Sequence, residues 1–440
     1  MIRVFTIGGY SEVGKNMTAV KVDDEIIILD MGLYLPAVLE YEEGDPHDLT
    51  TKDLIKIGAI PDDNILQDYR NNVKAIILGH CHLDHIGATQ YLALHYNCPI
   101  IGTPYTLEVL RNIIEENSRI VPRLKQLNYN SSLQITDNIK IEFINITHST
   151  LQTVLVVLHT KYGLIVYAND FKLDNHPTIG KKPNYERLEK LSEDCKLLIM
   201  DSLYSNLETK TPSEKVAKEM LKDVMLGTQN KNNAMIITTF SSHIARLRSI
   251  VEFGKMLNRK IVFLGRSLYN YVKAAEKLDL ANFNDVELIG FRNQVKKRLM
   301  QMEKEGRSNY LIVCTGNQGE PEAVLTRIVK KELPFELLPN DIVIFSSRTI
   351  PTKMTIQNRK FVEDRLKQKH VRIFTNIHQS GHAAREDHRD MINMIKPKNI
   401  IPVHGDRAIT KGLETLAEEL GYKLGKNVHL SNDGKVVDIS

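Results

Sequence analysis

The stretch Gly79-His80-Cys81-His82-Leu83-Asp84-His85-Ile86-Gly87 constrains this 440-residue chain more than any other. It follows directly on Lys74-Ala75-Ile76-Ile77-Leu78, an apolar run that reads as a buried strand. In extended backbone, positions i and i+2 point the same way, so His80 and His82 can share one cation. The chain then turns into a helical pattern, GATQYLALHY, which brings Asp84 and His85 beside that pair for a second cation. Imidazole and carboxylate donors suit zinc or a related divalent metal. A lone histidine is usually structural, but three with an aspartate inside six residues after a strand point to a metal site.

Two ions need further donors, and several strand-like runs end on one. IKIEFINITH ends at His148, GLIVYAND at Asp170, and IIPVHGD carries His404. In α/β sheets, ligands gather where the carboxyl ends of strands emerge. The economical assignment gives one ion to His80, His82 and His148 and the other to Asp84, His85 and His404, with Asp170 bridging. Two ions roughly 3.5–4 Å apart would lower the pKa of a shared water and clamp both oxygens of an in-line displacement at phosphorus. Asp30, ending EIIILD, either orients a ligand from behind or is a buried structural aspartate. Asp201, after KLLIM, is placed to hold an imidazole in one tautomer.

A second set carries a phosphate signature. SGHAAREDHRDMINMI (380–395) puts small residues at the start of a helix, where free amides and the helix dipole attract an anion. A simple helix cap by Ser380 is the plainer alternative. His382, inside that turn, would touch a phosphate oxygen or protonate a leaving group. FSSHIARLR (240–248), CTGNQGEPEAVLTR (314–327) and FSSRTIP (345–351) are further strand-then-turn segments. Together they would line one rim with amide and guanidinium donors, Ser241 and Arg246 among the phosphate-binding candidates.

Composition narrows the class. With 42% hydrophobic and 25% charged residues the chain reads as soluble and globular, and its length asks for two or three folding units. Its apolar runs, such as IIILDMGLYL, end within about ten residues, short of a membrane span. No signal peptide is read at the amino terminus. Cys81, Cys98, Cys195 and Cys314 form no CxxC pair, which argues against a disulfide framework or a cysteine–zinc site and fits the cytoplasm. Residues 206–365 hold 27 Lys+Arg against 18 Asp+Glu, a basic block suited to a polyanion. Residues 34–70 are polar and turn-rich, and read as a long loop with one short helix.

HxHxDH at 80–85, followed in order by His148, Asp170, Asp201, His382 and His404, resembles the β-CASP nucleases of the metallo-β-lactamase superfamily. GGYSEVGKNMT, TGNQGEP, IHQSGHAA and IPVHGD are similar to the ribonuclease J family, and the match covers essentially the whole chain. The resemblance implies an α/β architecture: an αββα metallo-β-lactamase sandwich, 1–205 and 366–440, with an α/β β-CASP domain inserted at 206–365. It implies a ribonuclease with two divalent ions, Zn2+ first and Mn2+ or Mg2+ as alternatives. The expected activity is 5′-to-3′ exonucleolytic cleavage of single-stranded RNA from 5′-monophosphate ends, in RNA processing and decay. Asp84, Asp201 and His382 carry the catalytic roles, and Ser380, Gly381, His382 and Ala383 match the loop that holds the terminal phosphate.

The alternative is an RNA endonuclease of the cleavage and polyadenylation-factor type, disfavoured by the lack of an appended RNA-binding domain. A silent RNA-binding subunit and a thioester or lactam hydrolase are further rivals. The sequence ends soon after His404, as in the shorter archaeal form, which leaves a homodimer open. Cys81 stands where the family usually has a small residue.

Overall fold

The computed structural model describes residues 1–41, 49–114, 119–350 and 352–439. Period-two burial decides its layers. Val20, Ile27, Leu29, Ala75 and Ile77 point from one sheet into a core shared with Ile141, Phe143, Val156, Leu158, Ile165, Leu197 and Ile401 of a second sheet. The intervening residues of the second sheet, among them Leu155, Val157, Val166, Leu198 and Met200, face the other way. They pack on Leu188, Met391, Ile392, Ile395, Leu413 and Leu416 of the helices Tyr185–Lys190, Arg385–Ile395 and Arg407–Glu419. Each fully buried Leu, Ile or Val contributes about 1.5–3 kcal/mol, so the register of both sheets is firmly set.

Among the described residues the first sheet has seven strands, in the order Lys435–Ile439, Ile2–Gly8, Met17–Val22, Glu25–Leu29, Val73–Leu78, Ile100–Gly102 and Leu124–Gln126. The second has six, ordered Ile400–Val403, Cys195–Asp201, Gly163–Ala168, Val154–Thr160, Lys140–Asn145 and Ser131–Gln134. These two sheets and their helices form one compact unit from Met1–Thr211 and Gly381–Ser440. The chain is therefore an α/β protein whose first unit is a two-sheet sandwich.

The second unit is Pro212–Ser380. Its six strands run parallel in the order Val286–Ile289, Lys260–Leu264, Tyr310–Cys314, Met235–Thr238, Ile342–Phe345 and Arg372–Phe374. Near-continuous apolar strands such as Tyr310–Cys314, buried throughout, are what a parallel sheet covered on both faces requires. The unit's limits differ from the expected 206–365 for two reasons. Thr211 still binds the first unit, its amide donating to Asp387 (2.7 Å) and its hydroxyl to the His382 carbonyl (2.8 Å). At the other end, Arg372–Phe374 pairs in register with Ile342–Phe345 and keeps the chain in the second sheet past residue 365.

The segment 34–70 is more helical than a loop. It holds Leu35–Leu39, Thr51–Lys56 and the start of a 3-10 run, Asp63–Asn72, while residues 42–48 lie outside the described ones. Thr50 and Asp53 form a reciprocal capping box that starts the second of these helices. Among the described residues no helix is long and apolar enough to cross a membrane.

Candidate metal centre

Strands of both sheets deliver the site. Val73–Leu78 runs into Gly79 and His80, and extended backbone at His82 then opens a single helical turn, Leu83–Ile86, carrying Asp84 and His85. His148 follows Lys140–Asn145, Asp170 follows Gly163–Ala168, and His404 directly follows Ile400–Val403. Asp30, Asp170 and His404 adopt left-handed backbone, with φ of 62°, 45° and 65°. That conformation is disfavoured for side chains with a Cβ and concentrates at functional sites. Gly32 makes room for the helical turn, because a Cβ there would overlap the Asp84 carbonyl oxygen.

The seven expected ligands come together in two groups that share Asp170: His80, His82, His148 and Asp170, and Asp84, His85, Asp170 and His404. In the first, His82 Nδ1 lies 3.1 Å from both His80 Nε2 and His148 Nε2. Asp170 Oδ2 lies 3.4 Å from His80 Nε2 and 3.6 Å from His148 Nε2. In the second, His85 Nε2 is 3.1 Å from Asp170 Oδ2 and 3.6 Å from Asp84 Oδ2, and His404 Nδ1 is 3.6 Å from Asp170 Oδ1. A tetrahedral ion with ligand bonds near 2.0–2.1 Å keeps its donors roughly 3.3 Å apart, so this spacing fits a divalent cation. Burial pushes the pKa values of His80, His82 and His148 down, which keeps these imidazoles in the neutral donor form. Asp170 Oδ1 is buried without a hydrogen-bond partner, an orphan that a cation would satisfy.

Ligand orientation is set from behind. Asp30 accepts the Gly79 amide (2.8 Å), His85 Nδ1–H (2.8 Å) and the Tyr167 hydroxyl (2.9 Å), so His85 presents Nε2 to the cluster. His148 Nδ1 donates to the Gly381 carbonyl at 2.7 Å, which likewise leaves Nε2 inward. Asn16 was not singled out by the sequence reading, yet it is fully buried and touches three ligand residues. Its Nδ2 lies 3.0 Å from the Asp84 carbonyl and 3.0 Å from His85 Nε2, and its Oδ1 lies 3.0 Å from His404 Nδ1. The signal was available: Asn16 closes the glycine-rich GGYSEVGKNMT segment, whose turns aim a polar side chain inward. Tyr167 and Ser149, whose hydroxyl sits 3.3 Å from His148 Nε2, were missed as well.

Asp201 and His382 form a pair, with Nδ1 of the imidazole 2.9 Å from Oδ2 of the carboxylate. His382 Nε2 faces the cluster, 3.9 Å from Asp170 Oδ2. Burial works against a charge on this ring, but Asp170 and Asp201 outweigh it and raise its pKa to about 9.

The turn around His382 is pinned. His148 holds Gly381, Thr211 holds the His382 carbonyl, and the Ala383 amide donates to the Phe171 carbonyl at 2.6 Å. Gly381 lies so close to Ser149 that a Cβ would come within 2.8 Å of it. One expectation is corrected here. The amides at the start of the helix Arg385–Ile395 are not free for an anion: those of Ala384, Arg385 and Glu386 donate to Asp387, Leu207 and Thr209. With the Ala383 amide also taken, the amides of 383–386 are all engaged within the protein.

The second unit holds the remaining candidates. Ser241 pairs its hydroxyl with that of Ser267 at 2.8 Å. Arg246 is corrected outright, being completely buried with every guanidinium nitrogen engaged. Nε and Nη2 donate to Glu214 (2.6 and 2.8 Å), and Nη1 to Ser346 and the Ile377 carbonyl. It has no donor to offer a phosphate and serves as a packed structural cation.

Comparisons with known proteins agree with this geometry. A family model described as "Metallo-beta-lactamase superfamily" matches residues 11–191. "Ribonuclease J, beta-CASP domain" matches 232–363, and "Zn-dependent metallo-hydrolase RNA specificity domain" matches 369–431. The sequence is 45% identical to Ribonuclease J of Methanocaldococcus jannaschii, over 99% of this chain and 98% of that one. The chain belongs to the ribonuclease J family. Identity to the Pyrococcus abyssi ribonuclease J is 44%, over 100% and 97% of the two chains. Ribonuclease J 1 of Streptococcus pyogenes is 32% identical over all of this chain but 74% of its own length. A crystal structure of a protein of unknown function from Enterococcus faecalis V583 shares the fold, with a TM-score of 0.66 and 18% identity over 99% of both chains. The β-CASP match ends at 363 and the RNA-specificity match begins at 369, whereas compactness carries the second unit to Ser380.

Proposed function

We propose that this member of the ribonuclease J family is a cytoplasmic 5′-to-3′ exoribonuclease that engages the 5′-monophosphate end of single-stranded RNA. Membership of the family makes it a metal-dependent hydrolase of RNA phosphodiester bonds. One observation carries the exonuclease reading: the turn Gly381–Ala383 is tied to the metal-ligand residue His148 through the 2.7 Å bond to the Gly381 carbonyl. A phosphate held at that turn lies a short step from the reacting centre, so cleavage releases a short 5′ product.

Two divalent ions, zinc first, would be held by His80, His82, Asp84, His85, His148, Asp170 and His404, where they polarise phosphoryl oxygens and supply a nucleophile from water at neutral pH. The protein's own groups do the rest. Asp170 joins the two ligand groups, and Asp30 and Asn16 fix the direction of the imidazoles. His382, held by Asp201, presents Nε2 toward the departing 3′-oxygen and gives it a proton, which leaves a 5′-phosphate on the product.

The test uses one RNA, uniformly labelled, with 5′-monophosphate, 5′-triphosphate or 5′-hydroxyl ends. Mononucleotides released fastest from the monophosphorylated RNA are expected. Internal fragments at equal rates from all three would refute the exonuclease reading and favour an endonuclease.

A further inference from the structure

His388 has no part in the chemistry so far, yet its surroundings are unusual. The side chain is fully buried, three residues into the helix Arg385–Ile395. Its Nδ1 lies 2.8 Å from the Ala384 carbonyl and its Nε2 lies 2.8 Å from the Asp201 carbonyl. In either neutral tautomer one ring nitrogen donates to its carbonyl while the other only abuts its own, and the ring bonds both carbonyls when protonated. The Phe171 ring meets the imidazole edge-on, with centroids 5.7 Å apart and planes at 82°. Asp201 is the residue that holds His382, and Ala384 closes the turn in which His382 sits. A β-bridge between Tyr204 and Ala384 joins the same two segments a few residues on.

We propose that His388 is a positioning residue that spans Asp201 and Ala384 and thereby fixes where His382 delivers its proton. It touches neither substrate nor ligand, and it acts through the Asp201–His382 pair. This rests on the reading of His382 as proton donor given above. In that step water oxygen bonds to phosphorus, the P–O3′ bond breaks, and O3′ takes the proton from His382 Nε2. The proton lost by the attacking water passes to solvent, from which His382 is recharged. A ring displaced from either carbonyl lets the segments shift, and proton transfer is sensitive to small errors in donor distance.

The experiment compares two substrates that differ in their need for an acid. His388→Phe keeps a planar ring and removes both nitrogens. On 5′-monophosphorylated RNA, whose leaving alkoxide requires a proton, kcat is expected to fall about 10–100-fold with KM little changed. On bis(p-nitrophenyl) phosphate, whose nitrophenolate departs unaided, the loss is expected to stay below about threefold. Ion content, read by plasma emission, should remain that of the wild type.

An equal loss on both substrates, a loss of ions, or unchanged kcat on RNA would overturn the proposal. Where His388→Phe does not fold, His388→Gln keeps one donor and should show a smaller loss with the same substrate pattern. If neither variant folds, His388 is a structural residue and the proposal fails. A wild-type chain that cleaves the nitrophenyl ester but not RNA would instead refute the ribonuclease reading, and this proposal with it.

Discussion

Replacing Arg246 with Met separates a structural cation from a phosphate ligand. The guanidinium is enclosed, bonded twice to Glu214 and again to Ser346 and the Ile377 carbonyl. Removing it takes the guanidinium away from the Glu214 carboxylate, itself buried, and leaves His243 beside it at 3.3 Å. Breaking a buried pair from one side costs about 3–5 kcal/mol. For a unit of this size each kcal/mol lowers Tm by about 2–4 °C, so Arg246→Met should unfold roughly 6–20 °C early. Adding Glu214→Leu should recover much of that loss, since an apolar pair of similar volume is often neutral there.

The pH dependence has a definite sign. Burial alone would raise the Glu214 pKa, but His243 and Arg246 hold it well below the usual carboxylate range. A folded pKa below the unfolded one gives stability that is present above about pH 4.3 and lost as pH falls. Arg246→Met should flatten that acid limb. Thermal unfolding and RNA affinity across a salt series decide the matter. A phosphate ligand would lower the slope of log affinity against log salt by about 0.7, whereas a structural cation leaves it unchanged. A wild-type Tm with a reduced salt slope would refute the structural assignment.

Three further outcomes are expected. His82→Ala or Asp84→Ala should abolish turnover and cut bound metal while RNA affinity, measured by filter binding, stays within about threefold of wild type, since both residues serve the metals; retained turnover would count against the site. Asn16→Ala should weaken metal binding by about 10–100-fold in chelator competition, because the Asp84 backbone and the His404 ring both lose their support. Glu142 titrates at about 2, burial being outweighed by its bonds to Arg187 and His159. Its stabilisation is thus full above about pH 4.3 and fades toward pH 2, so Glu142→Gln should narrow the gap between urea midpoints at about pH 6 and about pH 3.

What could be read in advance follows from where the physics is local. HxHxDH after a strand is a local pattern, as are histidines and aspartates at strand ends, and these lead directly to the residues that the fold gathers into the two candidate clusters. The strands within 139–148 and 163–170 were legible because short apolar runs are likewise local, whereas the αββα arrangement of the sheets came from the family resemblance. Arg246 misled because its partner, Glu214, is distant in sequence, and a basic residue after a strand looks the same whether it faces solvent or a buried carboxylate. The helix start at 384–386 misled for the same reason, since its amides are filled by carbonyls from 207 and 209. Asn16 and His388 went unread because what they do depends on which distant carbonyls and imidazoles they meet, and composition does not report that.

The left-handed residues explain why the centre needs so much support. Asp30 and His404 are the first residues beyond a strand and Asp170 the second, and each reverses the backbone there. That turn brings their side chains to one edge of the sandwich, at a cost of about 1–3 kcal/mol apiece. The offset is visible at each position. Asp30 accepts three hydrogen bonds, and the His404 amide donates to the Gly9 carbonyl at 2.7 Å. Asp170 is the exception: one of its oxygens is buried without a hydrogen bond, and its neighbours are histidines, Asp84 and Asp201. Its strain and its desolvation are thus the part of the fold that bound cations would relieve. Removing the ions should therefore lower Tm, and Asp170→Asn should lower it further in the metal-free chain, because against the cost of burial the surrounding imidazoles, His404 and His85 first, hold the Asp170 carboxylate well below its usual pKa. A metal-free Asp170→Asn chain that melts above metal-free wild type would show that desolvation outweighs those imidazoles.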